Sequence, residues 1–202
     1  SRSRYLLMSD FPERFSDIVF AEIRGWLNEN EKSPFWEHLG EKFFNLPFAR
    51  ADFISAVNGS QFISDLMPRF PVYLELLPAD AVEVIGKAHR DSIPAQKLLE
   101  REGFNYQGTV DIFDAGPVME CERVNIKSIK ETRTLRIKSL SKKVEESDVA
   151  PICIVSNRQL SDYRLVMAPV QDKGSNEVSI SYQNAEILGV AVGSEIQTLE
   201  LR

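Results

Sequence analysis

The chain has two histidines in 202 residues. One of them, His89, stands where the local pattern changes from an apolar run to a helix start. Imidazole titrates near neutrality, so a histidine at such a junction can donate or accept a proton at physiological pH. The surrounding residues read AVEVIGKAH, then RDS, then IPAQKLLEREGF. Val82, Val84 and Ile85 form a short β-branched run that predicts a buried strand. Pro94 predicts a helix start, because its ring fixes φ and it lacks only an N–H that a first turn cannot use; Ser92 stands ahead of it as the N-cap. Ala95, Leu98 and Leu99 are expected to form the buried stripe, and Gly103 a left-handed stop that lets Phe104 pack back. The other reading of His89 is a satisfied structural histidine at a strand end.

A similar unit lies upstream. Ile18, Val19, Phe20 and Ile23 predict a strand, Asn28 to Lys32 a turn, and Ser33-Pro34 a helix start followed by Phe35, Trp36, Leu39, Phe43 and Phe44 at helical spacing. Arg24 and Gly25 fall near the place that His89 holds downstream. The two units are as compatible with a chance likeness as with a duplication. Between them, two helices are expected on either side of Asn58-Gly59, a pair that favours turns. FPVYLELLP then permits an extended segment or a short helix. Val110, Ile112 and Phe113 predict a strand ended by Asp114, Gly116 and Pro117.

From about Glu122 the pattern becomes β-rich. TLRIKSL, PICIVSN, DYRLVMAPV, EVSISYQ and EIQTLEL are short runs separated by turn clusters such as DKGSNE, with one short helix expected over Asn184 to Leu188. Between Arg123 and Lys143 eight Lys or Arg face one acidic residue. That run reads as the solvated side of an edge strand, or as an anion-binding face. It has no interleaved aromatics, which argues against nucleic acid.

Composition sets the outer bounds. With 43% hydrophobic residues the chain can bury one good core and a smaller one, and the expected division is 1–120 and 121–202. The net charge is −6, with −7 over residues 1–120 and +1 over the remainder. This balance disfavours a nucleic-acid protein and suits a cationic substrate near His89. No apolar run is long enough to span a bilayer and no leader is evident, so the expected location is cytoplasmic, without a membrane partner. Cys121 and Cys153 have no neighbouring ligands for a metal and read as buried free thiols.

Six stretches, SPFWEHLGEKFF, ADFISA, LMPRFPVY, VIGKAH, PAQKLLEREGF and VDIFDAGP, in that order, resemble the arginine N-succinyltransferase family of the broader GNAT class of acyltransferases. The resemblance implies an α/β (α+β) fold with a GNAT-like mixed sheet and flanking helices; the short, closely spaced strands that follow suit a small barrel or half-barrel, a β-barrel-like appended subdomain. The resemblance also implies succinyl transfer from succinyl-CoA, a co-substrate with no covalently bound cofactor, to the α-amine of L-arginine in arginine catabolism. The family's histidine proton donor, in a VIGKAH-like motif, maps onto His89. Such a group would give a proton to the departing thiol or relay the one lost by the amine.

A guanidinium is best held by carboxylates in a bidentate fork. Asp111, Asp114 and Glu120 are the nearest in sequence; Asp111 is the ligand candidate, while Asp114, before Ala-Gly-Pro, reads as an Asx-turn residue. Arg24 is the candidate cation for the succinyl carboxylate. His38 is assigned no chemistry. GNAT proteins cradle the CoA pyrophosphate on an Arg/Gln-x-x-Gly-x-Gly/Ala loop that opens a helix, and that loop does not occur in this sequence. The opening SRSRYLLMSDFPERF places Tyr5, Leu6, Met8 and Phe11 at helical spacing. The expectation is therefore a fragment, inactive alone, whose partner is the N-terminal segment of the same protein, within a homo- or hetero-oligomer. Two other readings stay open: a non-catalytic partner subunit of GNAT-like fold, and an acyltransferase acting on another amine.

Overall fold

A computed structural model describes residues 2–59, 61–141, 150–170 and 176–201. Its elements, in chain order, begin with α1 (Arg2–Asp10), β1 (Ile18–Glu22), a π-helical turn (Trp36–Gly40) continuing into α2 (Glu41–Phe44), α3 (Phe48–Asn58), α4 (Gln61–Leu66), α5 (Ala79–Glu83) and α6 (Ile93–Glu102). There follow β2 (Asn105–Val110), β3 (Pro117–Glu122), α7 (Lys127–Lys130), β4 (Arg133–Ser141), β5 (Ile152–Ser156), β6 (Leu165–Pro169), β7 (Glu177–Ser181), α8 (Tyr182–Leu188) and β8 (Glu195–Glu200). The class is mixed α+β. The chain divides into two compact units, Val19–Cys121 and Ser1–Ile18 with Glu122–Arg202, so the first helix groups with the C-terminal residues.

In the unit Val19–Cys121 a three-stranded sheet runs in the order β1-β3-β2, with β2 and β3 antiparallel. Strand β2 ends at Val110, so Ile112 and Phe113 lie in the β2–β3 turn and not in a strand as expected. The cause is Asp111, whose carboxylate accepts the amides of Phe113 at 2.7 Å and Asp114 at 3.2 Å and closes an Asx turn. Phe113 turns into an aromatic core with Trp36, Phe44 and Phe48. The indole N–H of Trp36 donates to the carbonyl of Leu46 at 3.0 Å, which satisfies its one polar atom. Gly40 lies against the Trp36 ring where a Cβ would overlap it.

Helices α3 and α4 flank Asn58-Gly59 as expected, and Gly103 stops α6 at φ 102° with Phe104 buried behind it. Three local expectations fail. Val82 lies in α5, with Val84 and Ile85 just beyond it, because Pro78 starts a helix and Ala81 and Val84, three residues apart, bury one face. Only a single bridge, Gly25 to Ala88, stands where the downstream strand was expected, so the apparent duplication does not extend to structure. Ala95 and Leu98 are exposed, Leu98 by 61%, and do not form a buried stripe. The segment FPVYLELLP contains only a 3-10 turn at Leu74–Leu76.

The other unit is an open five-stranded sheet, order β6-β5-β8-β4-β7, and not a closed barrel. Pairing is antiparallel except between β4 and β7. Alternation places Leu135 and Ile137 in the core with Val155, Ile180, Leu188 and Ile196, while Arg136 and Lys138 face outward. Those two cations pair with Glu195 at 3.6 Å and Glu177 at 2.8 Å, which accounts for part of the basic run as a solvated face, although β4 is paired on both sides and is not the edge strand expected. Lys142 and Lys143 lie outside the described residues, as does most of the DKGSNE turn. Helix α1 carries Asp10, whose fully buried Oδ2 accepts hydroxyl hydrogens from Ser156 at 2.6 Å and Tyr163 at 2.7 Å. Both cysteines are buried and neither is in a disulfide. No helix among the described residues is long and apolar enough to cross a membrane, and no group of side chains among them could hold a metal.

Candidate functional site

His89 owes its position to backbone bonds. Its amide donates to the Arg24 carbonyl at 2.8 Å beside the Gly25–Ala88 bridge, and its own carbonyl accepts from Ser92 at 2.8 Å. The side chain caps the short turn Arg90–Ser92, with Nδ1 accepting from the Asp91 amide at 3.2 Å. A ring nitrogen that accepts an N–H carries no proton, so the neutral imidazole bears its hydrogen on Nε2. Nε2 is thus the nitrogen left for chemistry. The Asp91 carboxylate stands 3.7 Å from Nδ1, near enough to swing in when that nitrogen is protonated. The ring is buried, with 6% of the residue exposed.

Two neighbouring cavities, of about 640 and 320 Å³, share Glu22, Asp52, Asp111 and Phe113 on their walls. The larger adds Glu120, Thr109 and Phe20. The smaller adds Arg24, Phe48 and Asp114. Carboxylates from β1, α3, the β2–β3 turn and β3 therefore converge on one concave surface beside aromatic rings. Such a surface suits a flat delocalised cation, which carboxylates grip by paired hydrogen bonds and ring faces attract.

Of the residues singled out in the sequence, Arg24 and Asp111 share a cavity wall. His89 joins them through the Arg24 backbone, and its ring is on neither wall. The Arg24 guanidinium is 3.1 Å from Glu31 and partly exposed, so its charge is already engaged. Asp111 spends Oδ1 on the Asx turn and keeps Oδ2 for another partner. Asp114 does act as a turn acceptor, taking the Gly116 amide at 2.8 Å, and with its other oxygen also takes the Gly25 amide at 2.7 Å. Burial raises its carboxyl above the ordinary range, while the two amide bonds pull it down. His38 pairs with Asp80 at 3.6 Å, away from both cavity walls. Glu22 and Asp52 were not foreseen. The alternation of β1 could have placed Glu22 beside Phe20, two residues before it; nothing local marks Asp52.

A mixed α+β unit with an acidic cavity beside a capped histidine is compatible with acyl transfer to a cationic amine, and comparison with known proteins narrows this. Residues 1–128 match the family model described as arginine N-succinyltransferase beta subunit, and residues 133–200 match its C-terminal domain. The chain belongs to the arginine N-succinyltransferase family. It is 38% identical over 201 residues to an arginine N-succinyltransferase of Photorhabdus laumondii, covering 100% of this chain and 58% of that protein. It is 34% identical to one of Escherichia coli, covering 100% of this chain and 57% of the relative. Among solved structures, the arginine/ornithine succinyltransferase subunit AI from Pseudomonas aeruginosa superposes with a TM-score of 0.79 at 34% identity, over 99% of this chain and 56% of that one. The chain thus spans little more than half the length of these relatives.

Proposed function

We propose that the protein to which this chain contributes transfers the succinyl group of succinyl-CoA to the α-amine of L-arginine in the cytoplasm, in arginine catabolism. The observation that carries this reading is the cavity walled by Glu22, Asp52, Asp111 and Glu120 in a chain of this family. A guanidinium stays charged at any physiological pH, so it needs carboxylates around it and no proton exchange. The α-amine, by contrast, must lose its proton to attack the thioester carbonyl. The sulfur that leaves must then be neutralised, since a thiolate is a poorer leaving group than a thiol. His89 would serve both needs through Nε2 once Nδ1 has turned from the Asp91 amide to the Asp91 carboxylate and carries the ring's hydrogen: the bare Nε2 takes the proton of the amine, and the imidazolium then gives it to the leaving sulfur. Arg24 would meet the succinyl carboxylate after releasing Glu31. The pyrophosphate of CoA would be held by residues of the whole protein outside this chain, and the active form would be an oligomer.

One observation favours a second reading. The His89 ring is buried, caps a turn and is on neither cavity wall, as it would be in a non-catalytic partner subunit. A thiol-release assay with succinyl-CoA and L-arginine separates the two, using the whole protein and its His89→Ala variant. A loss of about 100-fold or more in kcat supports the proton-transfer role. Normal turnover by His89→Ala would make the histidine structural, and a folded wild type that ignores arginine would leave the partner-subunit reading.

A further inference from the structure

We propose that Asp114 is a positioning residue for arginine: its buried carboxylate fixes the Asp111–Gly116 turn against Arg24–Gly25, so that the acidic wall and the backbone that carries His89 keep one geometry. The inference rests on the arginine reading above and names a determinant which that reading does not contain.

Both carboxylate oxygens are committed. Oδ2 accepts from Gly25 at 2.7 Å and Oδ1 from Gly116 at 2.8 Å, and the residue is 8% exposed. The two partners are glycines for a steric reason. A Cβ on Gly25 would overlap the carbonyl oxygen of Asp114, and one on Gly116 would overlap the carbonyl of Ile23. The turn and the end of β1 therefore meet backbone to backbone, and the carboxylate is the bolt between them. Within the turn, between Asp114 and Gly116, Ala115 holds φ 56°, a left-handed conformation that costs a residue with a Cβ energy its surroundings must supply.

The rest of the site depends on this junction. The Asp111 amide donates to the Gly116 carbonyl at 2.9 Å, which sets the direction in which Asp111 leaves the strand. The Ala115 carbonyl accepts from Gly86 at 2.8 Å, and the Arg24 carbonyl accepts from His89 at 2.8 Å. Three segments that carry Arg24, His89 and Asp111 thus meet at one backbone junction, and the Asp114 carboxylate ties two of them together. An amide could not replace it, because one of its two arms would present N–H to N–H. A buried carboxylate held at this cost in desolvation is the kind of group that a site retains for geometry.

The test is steady-state kinetics of the whole protein with Asp114→Asn and Asp114→Ser, varying each substrate separately. The expected result is a 10- to 100-fold rise in KM for arginine, in the range for one disrupted buried hydrogen bond, with a smaller rise in KM for succinyl-CoA, whose carboxylate Arg24 would meet. A variant that is merely less well folded would lose kcat in proportion to its inactive fraction and keep both KM values. Should the asparagine variant not fold, the serine variant carries the test, since a hydroxyl can accept from either amide without opposing the other. The Asp111→Asn/Asp114→Asn pair should raise KM by less than the product of the single effects. A wild-type KM for arginine in the folded variants, or a loss confined to kcat, overturns the proposal alone. A wild type that does not use arginine overturns it together with the functional reading.

Discussion

The indole of Trp36 lies on the ring of Phe113, with centroids 5.3 Å apart and planes 26° from parallel. Trp36 comes from the π-helical turn and Phe113 from the β2–β3 turn, so this stack joins the helical layer to the wall of the acidic cavity. Trp36→Ala should lower the stability of the unit Val19–Cys121 by about 3–5 kcal/mol, the usual cost of deleting a fully buried aromatic. Trp36→Phe should cost about 1–3 kcal/mol, chiefly because the Leu46 carbonyl loses its donor. Urea unfolding followed by far-ultraviolet circular dichroism measures both. A Trp36→Phe variant as stable as wild type would show that the indole N–H contributes nothing.

His89 caps a turn, and in the proposed reaction it also moves a proton; substitution can part the two roles. Asparagine is a good N-cap acceptor, so His89→Asn should keep the bond from the Asp91 amide and unfold within a few tenths of a kcal/mol of wild type. His89→Ala should lose about 1 kcal/mol. In the whole protein both should lose about 10²- to 10⁴-fold in kcat if Nε2 moves the proton. An asparagine variant with wild-type turnover would leave His89 only its cap.

How far the sequence reveals this site depends on the range of the forces involved. Helix α6 is legible because its punctuation is local: Pro94 can only start a helix, and Gly103 relieves the strain of φ 102° at its end. Val82, Val84 and Ile85 mislead because a β-branched run looks the same in a strand as on the inner face of a short helix. Pro78 and the buried Ala81 decide between the two only once their neighbours are in place. Asp111 stands out as a carboxylate near a turn, yet the sequence pattern did not show that the turn begins at its own side chain. Glu22 and Asp52 reach the cavity from β1 and α3, so their meeting with Asp111 has no sequence spacing at all. The β unit is legible strand by strand. Its strand order is not, since the β4–β7 pairing is parallel and needs a long connection.

The acidic wall makes a prediction about charge. Asp52→Asn and Glu120→Gln keep the shape of the cavity and remove one negative charge each, so each should raise the KM for arginine about 5- to 50-fold in the whole protein. The effect should shrink for an amine substrate with no second cationic group. Titration calorimetry with arginine at low and at 0.3 M salt checks it independently. Affinity that does not respond to these substitutions would place the guanidinium elsewhere.

Cys153 should be chemically silent in the native protein. Burial, reinforced by the charge of Glu200, pushes its thiol up to about 11, so the thiolate needed for alkylation or disulfide exchange is scarce at pH 8. Iodoacetamide at pH 8 is expected to leave Cys153 unmodified in the folded chain and to label it readily in denaturant, as read by peptide mass spectrometry. Rapid native labelling would mean that β5 loses its cover, as when the edge strand β6 peels away from it.

Asp10 should make the stability of its own unit depend on pH in the direction opposite to a paired surface carboxylate. Burial is the largest influence and raises its carboxyl; Ser156, Tyr163 and Arg158 pull it down without cancelling the rise. Oδ1 accepts no hydrogen bond, although the Arg158 Nε lies 3.3 Å away. The folded state therefore holds the Asp10 proton more tightly than the unfolded chain does. Its contribution is fully present below the ordinary carboxylate pKa of 3.8 and is lost as pH rises through the higher folded value. Asp10→Asn keeps an acceptor for the two hydroxyls and cannot ionise. The difference in unfolding free energy between wild type and this variant should thus move in favour of the variant as pH rises from about 3.5 to 7. Using the difference cancels the many other carboxylates. Denaturant unfolding across that range measures it, and a difference that is flat with pH, or that moves toward wild type, would mean that the hydroxyl bonds and Arg158 outweigh burial.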